Sequence, residues 1–313
     1  MGEELEDYHN LVFEGGAVKG FAYIGVIKEL EDMGLLPKFK RFAGSSVGSL
    51  FASMLAIGFT AGEIISLKDS LDLNKLVSGF SFSKAYSIWD SFGMNKLNIL
   101  EKQFRAIIKK KVDPDISLGN LYRQTKKDLV IVTCCLNREK AVYLHHSTYP
   151  KVTLINALLA SITVPFLFKP RKFKFLGEMD YYVDGGTVDN YPIWIYNDLE
   201  LLYSGKIDDI PRNIISSRTL GLKLLSKGEK NNADVFTGRR KIENISTYAV
   251  TLVNTLMVQI QRGDISKSYI NQTVAIDTGD IYFLDFNITH KKIDMLVENG
   301  IDGIKRYFGN LDS

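Results

Sequence analysis

The residues around Ser46 match the sequence pattern that surrounds the nucleophile of many serine hydrolases. Residues 44–49 read GSSVGS, so Ser46 is the centre of a G-x-S-x-G pattern between the apolar stretch RFA and the helix-like run LFASMLAIG. Glycines at the two outer positions permit a sharp turn that exposes the serine hydroxyl. A chance match occurs in about one chain in ten of this length. The pattern alone therefore does not separate catalysis from a simple turn.

A glycine-rich turn occurs earlier in the chain, where EGGAVKGF (residues 14–21) follows the strand-like LVFE. Backbone N–H groups bared by small residues at a helix start can bind an anion or a developing oxyanion. A P-loop requires Lys and then Ser or Thr after the last glycine, but Phe21 and Ala22 follow Gly20; a dinucleotide fingerprint requires glycine in place of Ala17. The remaining interpretations are an oxyanion hole beside Ser46 and a tight turn that packing requires.

A third segment, YYVDGGTVDNYP at residues 181–192, places Asp184 at the end of a predicted strand. The two glycines that follow let the chain turn sharply and present the carboxylate. Asp180 and Asp189 lie nearby but lack a following Gly-Gly pair, so we give them less weight than Asp184.

The motifs GGAVKG, GSSVGS and DGGTVDNYP resemble, in order and approximate spacing, those of the patatin-like phospholipases. The segment LLASITVPFLFKP between the second and third motifs is similar to that family's helix and following proline. The resemblance covers about residues 10–195 and implies an α/β fold of three layers, with a largely parallel central sheet flanked by helices. One departure is Ala17, which replaces the usual third glycine of the first loop and restricts the backbone there.

The resemblance also implies a lipid acyl hydrolase, of phospholipase A or lysophospholipase type, that works through an acyl-enzyme and needs no metal or cofactor. The implied site residues are Ser46 as nucleophile, Asp184 as its only side-chain partner, Gly15, Gly16 and Ala17 as the oxyanion hole, and Lys19 as a weaker candidate for substrate binding. An ordinary Asp has a pKa of about 3.9. We therefore expect Asp184 to be a poor base at neutral pH, with much of the catalysis coming from pre-formed electrostatics.

Two other interpretations stay open. One is an α/β-hydrolase with a Ser, Asp, His triad in that chain order, for which His290 is the only histidine that follows Asp184. The other is a non-catalytic lipid-binding protein that keeps the fold. Ser45 and Ser49, which flank Ser46, are predicted to be ordinary polar residues at a helix start. No carboxylate, His or Cys cluster has metal-site spacing along the chain.

The elements that position these motifs alternate between strand and helix, which favours an α/β fold. The predicted strands are LVFE, FKRFA, the hairpin LVIVTCCLN-REK-AVYLHH, TLGLKLL, TVAID and IYFLDF. The predicted helices are FAYIGVIKELEDMG, ending at Gly34, a segment from Val47 to Ile57, TAGEIISLK with Thr60 and Glu63 as a capping box, LNILEKQFRAIIKK, LGNLYRQTKK, VTLINALLAS, ISTYAVTLVNTLMVQIQRG and a last helix from Lys291. We see no repeat or linker and predict one domain over residues 1–313.

Composition excludes little beyond nucleic-acid binding. The 313 residues are 45% hydrophobic, and 39 Lys and Arg against 36 Asp and Glu leave a formal charge of +3, too small to suggest a nucleic-acid partner. Cys134 and Cys135 are adjacent in a predicted strand and are expected to be reduced. We recognise no signal peptide, lipidation signal or transmembrane helix, and so expect a cytoplasmic protein. Its oligomeric state is left open.

Peripheral contact with a membrane is a further expectation. Residues 79–93 (GFSFSKAYSIWDSFG) are rich in aromatic residues, and residues 166–175 (FLFKPRKFKF) interleave phenylalanines with Lys169, Arg171, Lys172 and Lys174. Aromatic and basic side chains suit a lipid interface. The alternative is that the phenylalanines are the buried face of a strand.

Overall fold

A mixed β-sheet forms the centre of the computed structural model, which describes residues 8–70, 92–95, 97–203, 218–226, 242–263, 267–281 and 288–309. The strands are β1 (Tyr8–Phe13), β2 (Arg41–Ser45), β3 (Gly93–Asn95), β4 (Asp128–Cys135), β5 (Lys140–Leu144), β6 (Phe166–Phe168), β7 (Arg171–Phe173), β8 (Asp180–Asp184), β9 (Arg218–Leu225) and β10 (Thr273–Asp277). The central sheet has the order β10-β9-β1-β2-β4-β8-β7, with β5 also paired to β4, and β3 pairs with β6 apart from it. Neighbours from β10 to β4 are parallel, whereas β5, β7 and β8 pair antiparallel.

The helices cover this sheet. They are α1 (Ala22–Asp32), α2 (Val47–Ala56), α3 (Ala61–Ser70), α4 (Asn98–Ile108), α5 (Leu118–Thr125), α6 (Leu154–Ser161), α7 (Leu199–Tyr203), α8 (Ile245–Gly263) and α9 (His290–Gly309). The predicted capping box begins α3, since Thr60 N–H donates to Glu63 Oε2 at 2.9 Å and Glu63 N–H donates to Thr60 Oγ1 at 3.3 Å. Gly34 has φ +69° after α1, the left-handed stop that the sequence predicts.

The two edges of β4 determine where the candidate catalytic residues meet. β5 pairs along one edge, and β2 and β8 share the other. β2 runs up to the pairing of Ser45 with Val132, and β8 runs in the opposite direction to the pairing of Asp184 with Thr133. Because Val132 and Thr133 are consecutive, the carboxyl ends of β2 and β8 meet head to head. This meeting point brings the second and third motifs together.

The apolar core lies on both faces of the sheet. Every residue of β4 is buried, including the free thiols of Cys134 and Cys135. A fully buried strand of this kind is typical of a sheet covered by helices on both faces. The prediction of a layered α/β fold with a largely parallel sheet is therefore confirmed.

Most predicted elements are found within a few residues of the expected positions, and ISTYAVTLVNTLMVQIQRG forms α8 over its full length. The last helix begins at His290, one residue before the predicted start. Most of the predicted strand IYFLDF and of the aromatic segment at residues 79–93 lies outside the described residues. No helix in the described ranges combines the length and the apolar character needed to cross a bilayer.

Candidate active site

Ser46 lies on a strained turn between β2 and α2. Its backbone has φ 51° and ψ −127°, a region that costs a non-glycine residue on the order of 1–3 kcal/mol and that is found mainly at functional sites. The two motif glycines make the turn possible: a Cβ on Gly48 would lie 2.5 Å from the Phe13 carbonyl oxygen, and one on Gly44 would lie 2.4 Å from the Gly48 carbonyl carbon. The G-x-S-x-G pattern thus reflects close packing of α2 on β1 and β2.

The strained turn is fixed by hydrogen bonds to its backbone. The Ser46 N–H donates to Ser161 Oγ at 3.0 Å, and the Ser46 carbonyl accepts from Ser49 Oγ at 2.6 Å. Ser161 is the last residue of α6, in the SITVP stretch that the family resemblance includes. Ser46 is 8% exposed and lies at the amino end of α2, where the helix dipole favours negative charge.

The glycine-rich turn after β1 is anchored through Glu14. This buried carboxylate accepts hydrogen bonds from Lys223 Nζ at 2.9 Å and from the Leu224 N–H at 2.7 Å, both on β9. The turn is adjacent to Ser46, because a Cβ on Gly15 would lie 3.1 Å from the Ser46 Cβ. The first and second motifs are therefore in contact.

The three predicted oxyanion donors are not equivalent. The Gly15 N–H already donates to the Asn190 carbonyl at 3.0 Å, which corrects the expectation that it is available. Within the described residues, the N–H groups of Gly16 and Ala17 have no hydrogen-bond acceptor. Ala17 adopts φ 44°, a left-handed conformation that favours glycine, so the alanine at this position is strained.

Asp184 is completely buried at the end of β8. Its N–H donates to the Thr163 carbonyl at 2.9 Å, and its Oδ1 accepts from the Gly186 N–H at 2.8 Å. Burial raises its pKa to about 7, and the influence of the Ser46 hydroxyl and of the Gly186 N–H offsets part of that rise. Asp184 Oδ2 has no hydrogen-bond partner among the described residues.

The raised pKa differs from the sequence expectation. The sequence predicts an ordinary Asp pKa and therefore a poor base. In the structure, burial raises the pKa of Asp184 to about 7, so that the carboxyl group is about half-ionised near neutral pH. A carboxylate with this pKa can both take a proton from a hydroxyl and return it.

Asn190 connects the first and third motifs, a role that the sequence pattern does not reveal. Its Nδ2 donates to the Gly15 carbonyl at 2.9 Å, and its carbonyl accepts the Gly15 N–H. Its Oδ1 would lie 2.5 Å from a Cβ on Gly186. Asn190 thus packs between the glycine-rich turn and the Asp184 turn.

The two other aspartates near the motifs have structural partners. Asp180 forms an ion pair with Arg138 at 2.9 Å. Asp189 Oδ2 accepts from the Tyr143 hydroxyl at 3.0 Å and from Trp194 Nε1 at 3.1 Å. Ser45 is buried within β2, and Lys19 is half-buried on the first 3₁₀ turn.

The described structure gives no histidine a contact with Ser46 or Asp184. His290 is exposed at the start of α9, a helix that packs on β10 and α1. Two strands, β9 and β1, separate β10 from β2. This arrangement does not support the Ser, Asp, His triad.

The basic and aromatic segment at residues 166–175 packs largely against the protein. Phe168 and Phe173 are buried, and Phe175 packs against Phe173 with ring centroids 5.0 Å apart. Arg171 binds Glu101 Oε2 at 2.5 Å. The phenylalanines of residues 166–175 are thus mainly buried against the protein, as expected if they form the inner face of a strand.

Helix α8 lies against the Asp184 turn. The Met257 Cε atom would lie 2.6 Å from a Cβ on Gly186, and Met257 is buried. An adjacent face of the same helix exposes a row of apolar side chains with the spacing of one helix side: Ile245, Tyr248, Leu252 and Leu256.

The comparisons with known proteins agree with this geometry. The family model described as patatin-like phospholipase matches residues 11–196. The uncharacterized protein R571 of Acanthamoeba polyphaga mimivirus is 31% identical over 300 residues, which are 95% of this chain and 92% of that protein. The probable lipid hydrolase 463L of Invertebrate iridescent virus 6 is 29% identical over 205 residues, 64% of this chain and 65% of that protein.

A solved structure shows the same fold. VipD from Legionella pneumophila matches with a TM-score of 0.59 at 17% identity, over 97% of this chain and 67% of that one. The family model covers more than half of the chain and includes all three motifs. The chain therefore belongs to the patatin-like phospholipase family.

Proposed function

We propose that this protein is a lipid acyl hydrolase, of phospholipase A or lysophospholipase type, in which Ser46 and Asp184 form a catalytic dyad. The observation that carries the proposal is the head-to-head meeting of β2 and β8 on one edge of β4. Ser45 of β2 pairs with Val132, and Asp184 of β8 pairs with the next residue of β4, Thr133. This arrangement brings a serine hydroxyl on a strained turn to a buried carboxylate whose pKa is about 7.

In the acylation step, Ser46 Oγ attacks the ester carbonyl carbon while Asp184 takes the hydroxyl proton. The carbonyl oxygen becomes an oxyanion, for which the N–H groups of Gly16 and Ala17 are the proposed donors. Collapse of the tetrahedral intermediate breaks the bond to the alkoxy oxygen, and Asp184 returns the proton to that leaving group. The product is an acyl-Ser46 enzyme and a free alcohol.

In the deacylation step, water attacks the acyl carbon and gives its proton to Asp184. The second intermediate collapses to a fatty acid and free Ser46, which recovers the proton. Asp184 thus serves as base and acid in turn, a role suited to a pKa near the working pH. Lys19, near the glycine-rich turn, is the candidate for contact with a phosphate head group.

Helix α8 is the proposed surface through which the lipid approaches. Its inner residue Met257 touches the Asp184 turn, while Ile245, Tyr248, Leu252 and Leu256 face outward. A row of exposed apolar side chains on a helix can enter the boundary between head groups and acyl chains. A lipid surface bound there would lie next to the turn that carries the proposed base.

The test compares Ser46→Ala with Ser53→Ala on phosphatidylcholine vesicles and on a short soluble ester. Ser53 is a matched control because it is a buried serine of α2 whose Oγ has no partner among the described residues. We expect Ser46→Ala to lose fatty-acid release from both substrates, with a circular dichroism spectrum like that of the wild type, and Ser53→Ala to keep it. Comparable turnover by the two variants would contradict the proposal.

A further inference from the structure

A second cluster of ionisable side chains lies at the opposite end of the sheet from Ser46. It consists of Asp128, at the start of β4, with His145 and His146, directly after β5. Asp128 and His145 are buried, and His146 is 14% exposed. Asp128 precedes Thr133, the partner of Asp184, by five residues of β4, or about 17 Å. The cluster is therefore separate from the proposed catalytic site.

We propose that Asp128, His145 and His146 bind a divalent metal ion of the Zn²⁺ type. One ligand atom from each residue lies within 4.8 Å of the other two. Two imidazoles and one carboxylate form a donor set that suits Zn²⁺ and is unusual for Ca²⁺ or Mg²⁺, which prefer oxygen ligands.

The hydrogen bonds of His145 are compatible with this assignment. Its Nδ1 lies 3.1 Å from the Leu202 carbonyl oxygen, and its Nε2 lies 2.6 Å from Asp128 Oδ1. The Ser147 N–H, 3.3 Å from Nδ1, is a donor to the tautomer that is protonated at Nε2. In the tautomer that is protonated at Nδ1, this proton is donated to the Leu202 carbonyl, and the Nε2 lone pair is free to bind a cation beside Asp128 Oδ1. Metal-binding histidines commonly donate their other N–H to a backbone carbonyl in this way.

His146 provides independent support. Its Nε2 is buried without a hydrogen-bond partner among the described residues and lies 3.9 Å from the same Asp128 Oδ1. Its ring is held parallel to Tyr122 with centroids 3.7 Å apart. A buried nitrogen without a partner is costly. Coordination of a metal would satisfy it.

The remaining oxygen of Asp128 is oriented by a neighbour. Tyr203 donates its hydroxyl to Asp128 Oδ2 at 2.6 Å, which leaves Oδ1 for the metal. Bonds of about 2.0–2.1 Å in a tetrahedral site place ligand atoms about 3.3 Å apart. The separations of 2.6 and 3.9 Å between Asp128 Oδ1 and the two Nε2 atoms bracket that value. Water would be the fourth ligand.

The competing explanation is a direct hydrogen bond in which the His145 Nε2–H donates to Asp128 Oδ1. The two explanations differ at His146, because a hydrogen bond between His145 and Asp128 does not involve it. The site is not visible in the sequence, because Asp128 and His145 are 17 positions apart and are brought together only by the pairing of β4 and β5.

The experiment titrates metal-free protein with Zn²⁺ by calorimetry and with Co²⁺ by visible absorption. We expect one ion per chain, an affinity at least about 100-fold weaker in His146→Ala, and one about 10- to 100-fold weaker in Tyr203→Phe. His290→Ala is the control because His290 is an exposed histidine outside the cluster, and its affinity should equal that of the wild type. Hydrolysis of a soluble ester reports whether each variant is folded.

Failure of the wild-type protein to bind either ion would overturn the proposal, and so would equal affinities in the wild type and His146→Ala. Should His146→Ala fail to fold, Tyr203→Phe decides: an unchanged affinity in that variant contradicts the proposal. Because the readout is metal binding, a negative result here leaves the assignment of Ser46 and Asp184 untouched.

Discussion

Asn190 holds Gly15 from two sides. The Asn190 Nδ2 donates to the Gly15 carbonyl at 2.9 Å, and the Gly15 N–H donates to the Asn190 carbonyl at 3.0 Å. Gly15 begins the turn that carries the proposed oxyanion donors, and Asn190 follows the proposed base by six residues. The relative positions of the two halves of the site therefore depend on this pair.

Replacing Asn190 by alanine is expected to lower both stability and kcat. The Gly15 carbonyl would lose its buried donor, which costs about 1–3 kcal/mol in the free energy of unfolding. A displaced oxyanion turn should lower kcat by about 10- to 100-fold, with a smaller change in KM. Denaturant unfolding and steady-state kinetics on a soluble ester measure the two effects.

Asn10→Ala is the matched control for that variant. Asn10 is also buried; it donates to Thr219 Oγ1 at 3.0 Å and accepts from Arg41 Nε at 2.6 Å, but it lies early in β1, away from Ser46. The Asn10 variant should lose at least as much stability and keep kcat. If Asn190→Ala and Asn10→Ala have the same kcat, the positioning role of Asn190 is wrong.

The pH dependence of kcat/KM should report the ionisation of Asp184. Burial raises its pKa to about 7 in the free enzyme, and only the ionised form accepts the Ser46 proton. We therefore expect kcat/KM for a soluble ester to rise about tenfold per pH unit below pH 7 and to level off above it. A profile already flat from pH 5 upward would show that the base has an ordinary Asp pKa.

Asp184→Asn should inactivate the protein yet stabilise it at neutral pH. The folded pKa lies above the unfolded value of about 3.9, so the native state binds more protons between about pH 4 and pH 7, and stability falls as pH rises through that window. Asparagine carries no such charge. The stability gain should be near zero at pH 4 and up to about 4 kcal/mol at pH 8.

Denaturant unfolding of Asp184→Asn and wild type at both pH values measures that difference. A variant less stable than the wild type at pH 8 would mean that the ionised carboxylate is compensated in the native state, contrary to the buried environment described above.

The outward face of α8 should matter for lipid surfaces and not for soluble substrates. Leu252 and Leu256 are 44% and 55% exposed, and glutamate at both positions would oppose insertion into a lipid interface. We expect the double variant to lose at least about tenfold in activity on phospholipid vesicles, with unchanged hydrolysis of a short soluble ester. Met33→Glu, which adds the same charge at an exposed apolar residue after α1, should behave as wild type on both.

If the Leu252 and Leu256 double variant lost the same activity on vesicles and on the soluble ester, the substitutions would be disturbing the fold or the catalytic site, and the role of α8 in lipid binding would be contradicted. The charge-removing variants Arg171→Gln, Lys172→Gln and Lys174→Gln, which the sequence alone favours as a membrane test, are expected to matter less. The phenylalanines beside these lysines are buried or packed against the core.

The parts of the site that depend on local chain chemistry are visible in the sequence. Ser46 is identified because a strained turn needs Gly44 and Gly48, and Asp184 because Gly-Gly follows a strand. These requirements act within a few residues, so the motifs express them directly.

Properties that depend on distant contacts are not visible in that way. The pKa of Asp184 is set by its burial, and the N–H of Gly15 is used by Asn190, 175 residues away in the chain. The hydrogen bond from Ser46 to Ser161 likewise joins residues 115 positions apart. The spacing of the exposed apolar residues on α8 can be recognised in the sequence. The proximity of this helix to the Asp184 turn cannot.

The most direct test of the dyad is the intact mass of the protein after incubation with a fluorophosphonate, which reacts covalently with an activated serine. We predict one adduct on the wild type and on His290→Ala, none on Ser46→Ala, and much slower labelling of Asp184→Asn. An adduct of the same stoichiometry on Ser46→Ala, or an unlabelled wild type, would contradict the assignment of Ser46 as the nucleophile.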